Sequence, residues 1–185
     1  MTRLSIYPEA STSNTIPSLP LLESSNSAVI KTELESRGIE FQHWPVKVEL
    51  NEQASEAEIL ATYTAVINRV QADGRYPTVD AIRMKPDHPQ RERLRQKFLA
   101  EHIHAEDEVR FFVEGCGLFC LHINDEVLQV LCEKNDLINV PAETRHWFDM
   151  GSKPNFCAVR FFNNPEGWVA SFTGDPISER FTNLR

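Results

Sequence analysis

The sequence predicts a mainly β fold with a few helices, a β-sandwich or small barrel preceded by a mixed α/β part. Two observations carry this. From residue 98 to residue 162, short apolar runs alternate with turn signals at regular spacing, the texture of many short strands. Helical periodicity is confined to the first half, where Leu60, Tyr63, Ile67 and Val70 recur on one face.

Taken in order, residues 8–27 are rich in Ser, Pro, Thr and Asn and read as a surface arm or loop. A short helix is expected over 28–37, stopped by Gly38. Residues 39–44 alternate like a half-buried strand and end at Pro45. Ser55 and Glu58 form the pattern of a capping box, and Gly74 stands where a helix C-cap sits. A second short helix is expected over 89–97, capped by Asp87. Strands follow over 98–104, 108–114, 117–123, 127–132, 136–140, 146–149 and 156–162.

Charge and composition exclude classes rather than select one. The net charge of −8 argues against nonspecific binding to nucleic acid or an anionic membrane. No apolar run approaches the roughly 20 residues of a membrane span. The first residues lack the apolar core of a secretory signal, so a cytoplasmic protein with reduced thiols is expected. Cys116, Cys120, Cys132 and Cys157 sit in apolar stretches and read as small buried hydrophobes.

The histidines say more. In a strand, residues two apart face the same way, so His102 and His104 project together, with Phe98 and Ala100. Glu108 opens the next strand, where Glu108, Arg110, Phe112 and Glu114 share a face. If the two strands are neighbours, Glu108 points back at the pair. Two imidazoles and a carboxylate make a divalent-metal site of borderline-soft character, and His146 offers a third imidazole. A buried Glu108 without a cation would be costly, and a metal removes that cost. Such a set leaves positions open for a substrate on a six-coordinate ion. His43, His88 and His122 read as satisfied core or surface residues.

His102-x-His104-x3-Glu108-x6-Gly115 resembles the first motif of the cupin superfamily. In the second motif Pro141 and His146 are in register, while Asn135, Glu143 and Met150 stand in place of Gly, Gly and Asn. Within the cupins, residues 98–113, residues 141–151, Arg160-Phe161-Phe162 and Gly167-Trp168 resemble the bacterial acireductone dioxygenase family of methionine salvage.

The resemblance implies a cupin β-barrel, a double-stranded β-helix or jelly roll, as a single domain over 1–185. Residues 1–97 would form the mixed N-terminal part, 98–165 the metal-binding barrel and 166–185 a tail. It implies one Fe²⁺ or Ni²⁺ per chain held by His102, His104, Glu108 and His146. The substrate would be 1,2-dihydroxy-3-keto-5-methylthiopentene, cleaved with O₂. The iron form would give formate and 4-methylthio-2-oxobutanoate. The nickel form would give formate, CO and 3-methylthiopropanoate. Asp107 would relay local changes and Glu101 would assist metal incorporation. The family also implies a monomer.

Strand parity places Arg110 beside Glu108, where its guanidinium would stabilise the substrate dianion, the alternative being an internal salt bridge such as one to Glu114. Phe98 and Phe148 are expected to wall the pocket, with Trp168 and Arg160 as further lining. Two other readings remain open at this level. One is a different metal-dependent cupin enzyme, such as a sugar-phosphate isomerase, though no Lys-rich phosphate cradle is visible. The other is a nonenzymatic small-molecule-binding cupin.

Overall fold

The computed structural model describes residues 1–9, 19–181 and 184 of the chain. β1 (Arg3–Pro8) and β2 (Leu22–Ser24) precede α1 (Ser27–Glu35) and β3 (Glu40–His43). α2 (Glu56–Thr62), α3 (Thr64–Val70) and a 3₁₀ turn (Gln71–Asp73) lead to β4 (Thr78–Met84) and α4 (Arg91–Leu99). Then come β5 (His102–Ile103), β6 (Glu108–Ile123), β7 (Glu126–Glu133), β8 (Asp136–Val140), β9 (Arg145–Asp149), β10 (Phe156–Phe162) and β11 (Ser171–Phe172). A second 3₁₀ turn spans Pro176–Arg180. Residues 10–18 of the expected surface arm lie outside the described residues.

β6 belongs to two antiparallel sheets. Its first half lies between β8 and β10, with β3 beyond β8 and β4 beyond β10. Its second half lies between β7 and β9. β1 and β2 continue that sheet past β7, and β5 and β11 continue it past β9. The facing sheets enclose a core that includes Phe112, Phe119, Leu128, Ile138, Phe148 and Phe156. This is the expected cupin barrel, and the strands of residues 1–97 extend its own sheets.

The sequence suggested two strands over 108–123, and the structure has one. Gly115 marks the join, at a φ of +63°. A Cβ there would meet the Asn155 carbonyl oxygen at 1.8 Å, so only glycine fits. A bulge lies just before it. Cys157 pairs with Glu114, but Ala158 pairs with Phe112, leaving Val113 as the extra residue. The bulge reverses the alternation: Phe112 faces the core before it, and Phe119 and Leu121 after it. Glu114 therefore leaves the face of Glu108 and Arg110, and pairs with Arg83 at 3.1 Å.

The helices cover the outside. Asn26 caps α1, its side chain accepting from the Ala28 and Val29 amides. The Ser55–Glu58 capping box is present. The helix expected to run on to Gly74 divides at Tyr63, with Thr62 and Thr64 hydroxyls donating to the carbonyls of Glu58 and Ala61. Ile59, Tyr63, Val66 and Ile67 pack on the outer face of the sheet, against Val109, Phe111 and Val159. α4 begins at Arg91 and ends at Leu99, later at both ends than expected, and Gln90 rather than Asp87 occupies its N-cap. It docks on β9 through a bidentate bond from Arg95 to the buried Asp149. Of the 98–104 strand only His102–Ile103 is extended. Phe98 thus reaches the core from a helix, and the strand parity expected for it does not apply.

Candidate metal centre

β5, β6 and β9 converge on one buried point. His102 lies opposite His146 in the β5–β9 ladder, so both rings project to the same side. His146 in turn lies opposite Leu121, whose side chain is in the barrel core. His104 follows two residues after His102, and Glu108 opens β6. One ligand-capable atom from each of His102, His104, Glu108 and His146 lies within 4.8 Å of all the others. All four residues are buried.

Each imidazole is oriented from behind. The Nδ1 atoms of His102, His104 and His146 donate to the backbone carbonyls of Ala100, Val169 and Thr144 at 2.7, 3.0 and 2.7 Å. A carbonyl can only accept, so each Nδ1 carries a proton, and Nε2 is the ring nitrogen left to ligate a metal once it is deprotonated. Glu108 Oε2 lies 3.0 Å from His104 Nε2 and 3.2 Å from His146 Nε2. Three imidazoles and a carboxylate gathered at one buried point form a donor set that could hold a metal ion. Three imidazoles and one carboxylate suit a borderline-soft dication, so the residues present fit the metal that their spacing suggested.

The electrostatics follow from burial. Burial pushes the His102 pKa down to about 4, keeping that ring neutral and able to ligate. For His104 burial works the same way, but the hydrogen bond to Glu108 and its charge outweigh it and raise the pKa. For Glu108, burial is opposed by the Arg110 charge and the two histidine contacts, which hold it well below the usual carboxylate range.

Arg110 stands beside this cluster. Its Nη2 lies 2.7 Å from Glu108 Oε1. Its guanidinium sits 4.7 Å from the Phe148 ring centroid and 5.3 Å from that of Trp168. Its Nε has no hydrogen-bond partner among the described residues. The ion pair considered between Arg110 and Glu114 is instead one between Arg110 and Glu108.

The other expected site residues fall into two groups. Phe98 contacts Phe148 with ring centroids 6.5 Å apart, and Trp168 lies 6.1 Å from His104. Arg160 pairs with Arg110 across the β6–β10 ladder but makes a bidentate bond to Asp80 at 2.8 and 2.6 Å. Asp107 and Glu101 lie outside the ligand cluster. Asp107 accepts from the Tyr76 hydroxyl and the Ala142 amide, and its carbonyl accepts from Trp168 Nε1. Glu101 is buried, accepting from Thr173 Oγ1 at 2.7 Å and facing His122 Nδ1 at 2.7 Å.

Two contributors leave no local signal in the sequence. Tyr76 braces Asp107 from 31 positions away, and the Val169 carbonyl orients His104 from 65 positions away. The departures in the second motif keep its backbone shape. Asn135 and Glu143 have φ values of 78° and 63°, the left-handed conformations that glycine adopts readily. The Glu143 amide still donates to the His104 carbonyl at 2.8 Å, while Met150 is simply core.

Comparison with known proteins agrees with this geometry. The model of the ARD/ARD′ family matches residues 6–170. An acireductone dioxygenase of Prochlorococcus marinus (strain MIT 9303) is 74% identical, covering 100% of both chains. One from Synechococcus sp. (strain WH7803) is 63% identical, covering 100% of this chain and 99% of its own. A solved acireductone dioxygenase from Bacillus anthracis, with a cadmium ion in its active centre, superposes with a TM-score of 0.77. It is 29% identical and covers 93% of this chain and 98% of its own. The chain belongs to the ARD/ARD′ family and is an oxidoreductase of the acireductone dioxygenase kind.

Proposed function

We propose that this chain cleaves 1,2-dihydroxy-3-keto-5-methylthiopentene with O₂ in methionine salvage, using Fe²⁺ or Ni²⁺ held by His102, His104, Glu108 and His146. The iron form would yield formate and 4-methylthio-2-oxobutanoate. The nickel form would yield formate, CO and 3-methylthiopropanoate. The observation that carries this reading is the buried three-histidine, one-glutamate cluster with Arg110 against its carboxylate. A dication held there by His102, His104, Glu108 and His146 would supply Lewis acidity toward an enediol.

The chain's own residues do the rest. The three Nε2 atoms and Glu108 set the charge and shape of the metal seat. Arg110 holds a positive charge against the oxygens of the deprotonated substrate, and its unpartnered Nε is a further donor for them. Phe148, Phe98 and Trp168 form an apolar wall suited to a methylthio tail and exclude water from the reacting oxygens. Arg160, tied to Asp80, borders this wall through its approach to Trp168 at 5.6 Å. Asp107 joins the loop before Glu108 to the loop before His146, so a change at either is passed to the other. Glu101 lies against His122 behind the first ligand, in reach of a role in metal incorporation. Residues 1–185 act as one cupin domain, and the protein is a cytoplasmic monomer.

The test is metal analysis of protein from its native host, followed by oxygen uptake and product identification with the acireductone. About one Fe²⁺ or Ni²⁺ per chain and metal-dependent O₂ consumption are expected. Metal-loaded protein that binds the acireductone without consuming O₂ would overturn the reading.

A further inference from the structure

A second pocket, of about 210 Å³, opens on the outer face of β6 and β8, away from the barrel interior that Glu108 faces. Its apolar floor is Val109 and Leu137, and the indole of Trp44 forms one wall. Its rim carries charge of both signs. Arg69 stacks over Trp44 with its guanidinium carbon 3.8 Å from the ring centroid. It has no carboxylate partner among the described residues.

Glu40 faces the same space. Its oxygens accept from Gln42 Nε2 at 2.7 Å and Asn139 Nδ2 at 3.3 Å; the Arg75 charge reaches it, but no cation makes a direct ion pair with it among the described residues. The other two rim charges, Arg75 and Asp73, neutralise each other at 2.5 Å. Asn139 is only 7% exposed, and its Oδ1 has no donor among the described residues. A buried acceptor left unmatched is costly unless something donates to it.

The pocket thus offers a guanidinium and a carboxylate, neither held in a direct ion pair among the described residues, around an apolar floor. We infer that it is a binding site for a small zwitterion of amino-acid size. The ligand's carboxylate lies against Arg69, and its ammonium lies against Glu40. An anion alone would leave Glu40 unmatched, and an amine alone would leave Arg69 unmatched, so the site discriminates by requiring both. The Val109–Leu137 floor receives an apolar side chain.

The test is calorimetric titration of the full, metal-loaded chain with the free L-amino acids up to about 10 mM. At least one is expected to bind with a Kd below about 1 mM. Its deamino and decarboxy analogues, and the variants Arg69→Gln and Glu40→Gln, are expected to bind at least about tenfold more weakly. Arg69 is exposed and Glu40 half-buried, so both variants should keep the wild-type circular dichroism, metal content and turnover. No binding by any amino acid would overturn the proposal. So would binding that survives either substitution, which would place the ligand elsewhere, such as at the metal centre.

Discussion

At the scale of single residues, two buried tyrosines show how environment decides the effect of one oxygen atom. Tyr76 donates to Asp107 at 2.8 Å and receives a bond from Asn139 at 3.2 Å. The Tyr63 hydroxyl is buried with no partner among the described residues. Removing an unmatched buried hydroxyl costs nothing, whereas removing a shared one strands its partners. Tyr76→Phe should therefore destabilise by about 1–3 kcal/mol, and Tyr63→Phe should be neutral or stabilising, within about 0.5 kcal/mol of wild type or above it. Urea unfolding of the two variants checks this, and equal losses would refute it. Arg110 makes a different prediction. Its role concerns the substrate anion more than the metal seat, so Arg110→Ala should retain metal content while kcat/KM falls about a hundredfold or more. The loss should be largest at low pH, where substrate deprotonation is hardest. Wild-type kinetics across pH would remove Arg110 from the mechanism.

At the scale of elements, the long strand β6 does most of the positioning. The Val113 bulge lets one strand serve two sheets, presenting Glu108 and Arg110 in one and Leu121, opposite His146, in the other. Gly115 makes the bend passable. Gly115→Ala brings a methyl group onto the Asn155 carbonyl and strains a left-handed backbone, at a cost of about 3 kcal/mol or more. Its thermal midpoint should drop sharply, and its metal content should drop with it because the two halves of β6 carry different sides of the site. A variant with unchanged stability would show that the strand relaxes around the bend. The short elements were least visible from sequence. Among the described residues β4 pairs only with β10, and it carries Asp80 and Arg83, so apolar alternation is broken. Only long-range pairing holds it as a strand.

At the scale of the whole molecule, stability against pH reflects the buried tyrosines. Burial is the main cause that raises both Tyr63 and Tyr76 from the ordinary value of 10 to about 12. The folded state prefers the protonated form, so their contribution is complete below pH 10. It is lost as pH rises from about 10 to about 12, because the unfolded chain ionises first. Each tenfold difference in proton affinity between the folded and unfolded chain is worth about 1.4 kcal/mol, so each residue loses a few kcal/mol over that window. Denaturation midpoints measured from pH 9 to pH 12 should fall steeply, and a Tyr63→Phe, Tyr76→Phe double variant should show a flatter slope. An identical slope in the double variant would assign the alkaline loss to other groups.

Local sequence was enough for the β-rich class, the capping box at Ser55, the strand over 156–162 and the meeting of the His102–His104 pair with Glu108 and His146. The first three rest on periodicity and capping chemistry and the cluster on donor types at fixed spacing, although β5 and β6 meet through β9 rather than as neighbouring strands. Tertiary packing settled the rest. It converted Phe98 from a strand residue to a helix residue, because α4 is held on β9 by the bond between Arg95 and Asp149. It moved Glu114 off the ligand face, because a bulge depends on the partner strand and leaves no mark in one sequence. It gave Glu101 and Asp107 contacts with His122, Thr173, Tyr76 and Ala142. Those partners are distant in the chain, and burial makes their bonds obligatory.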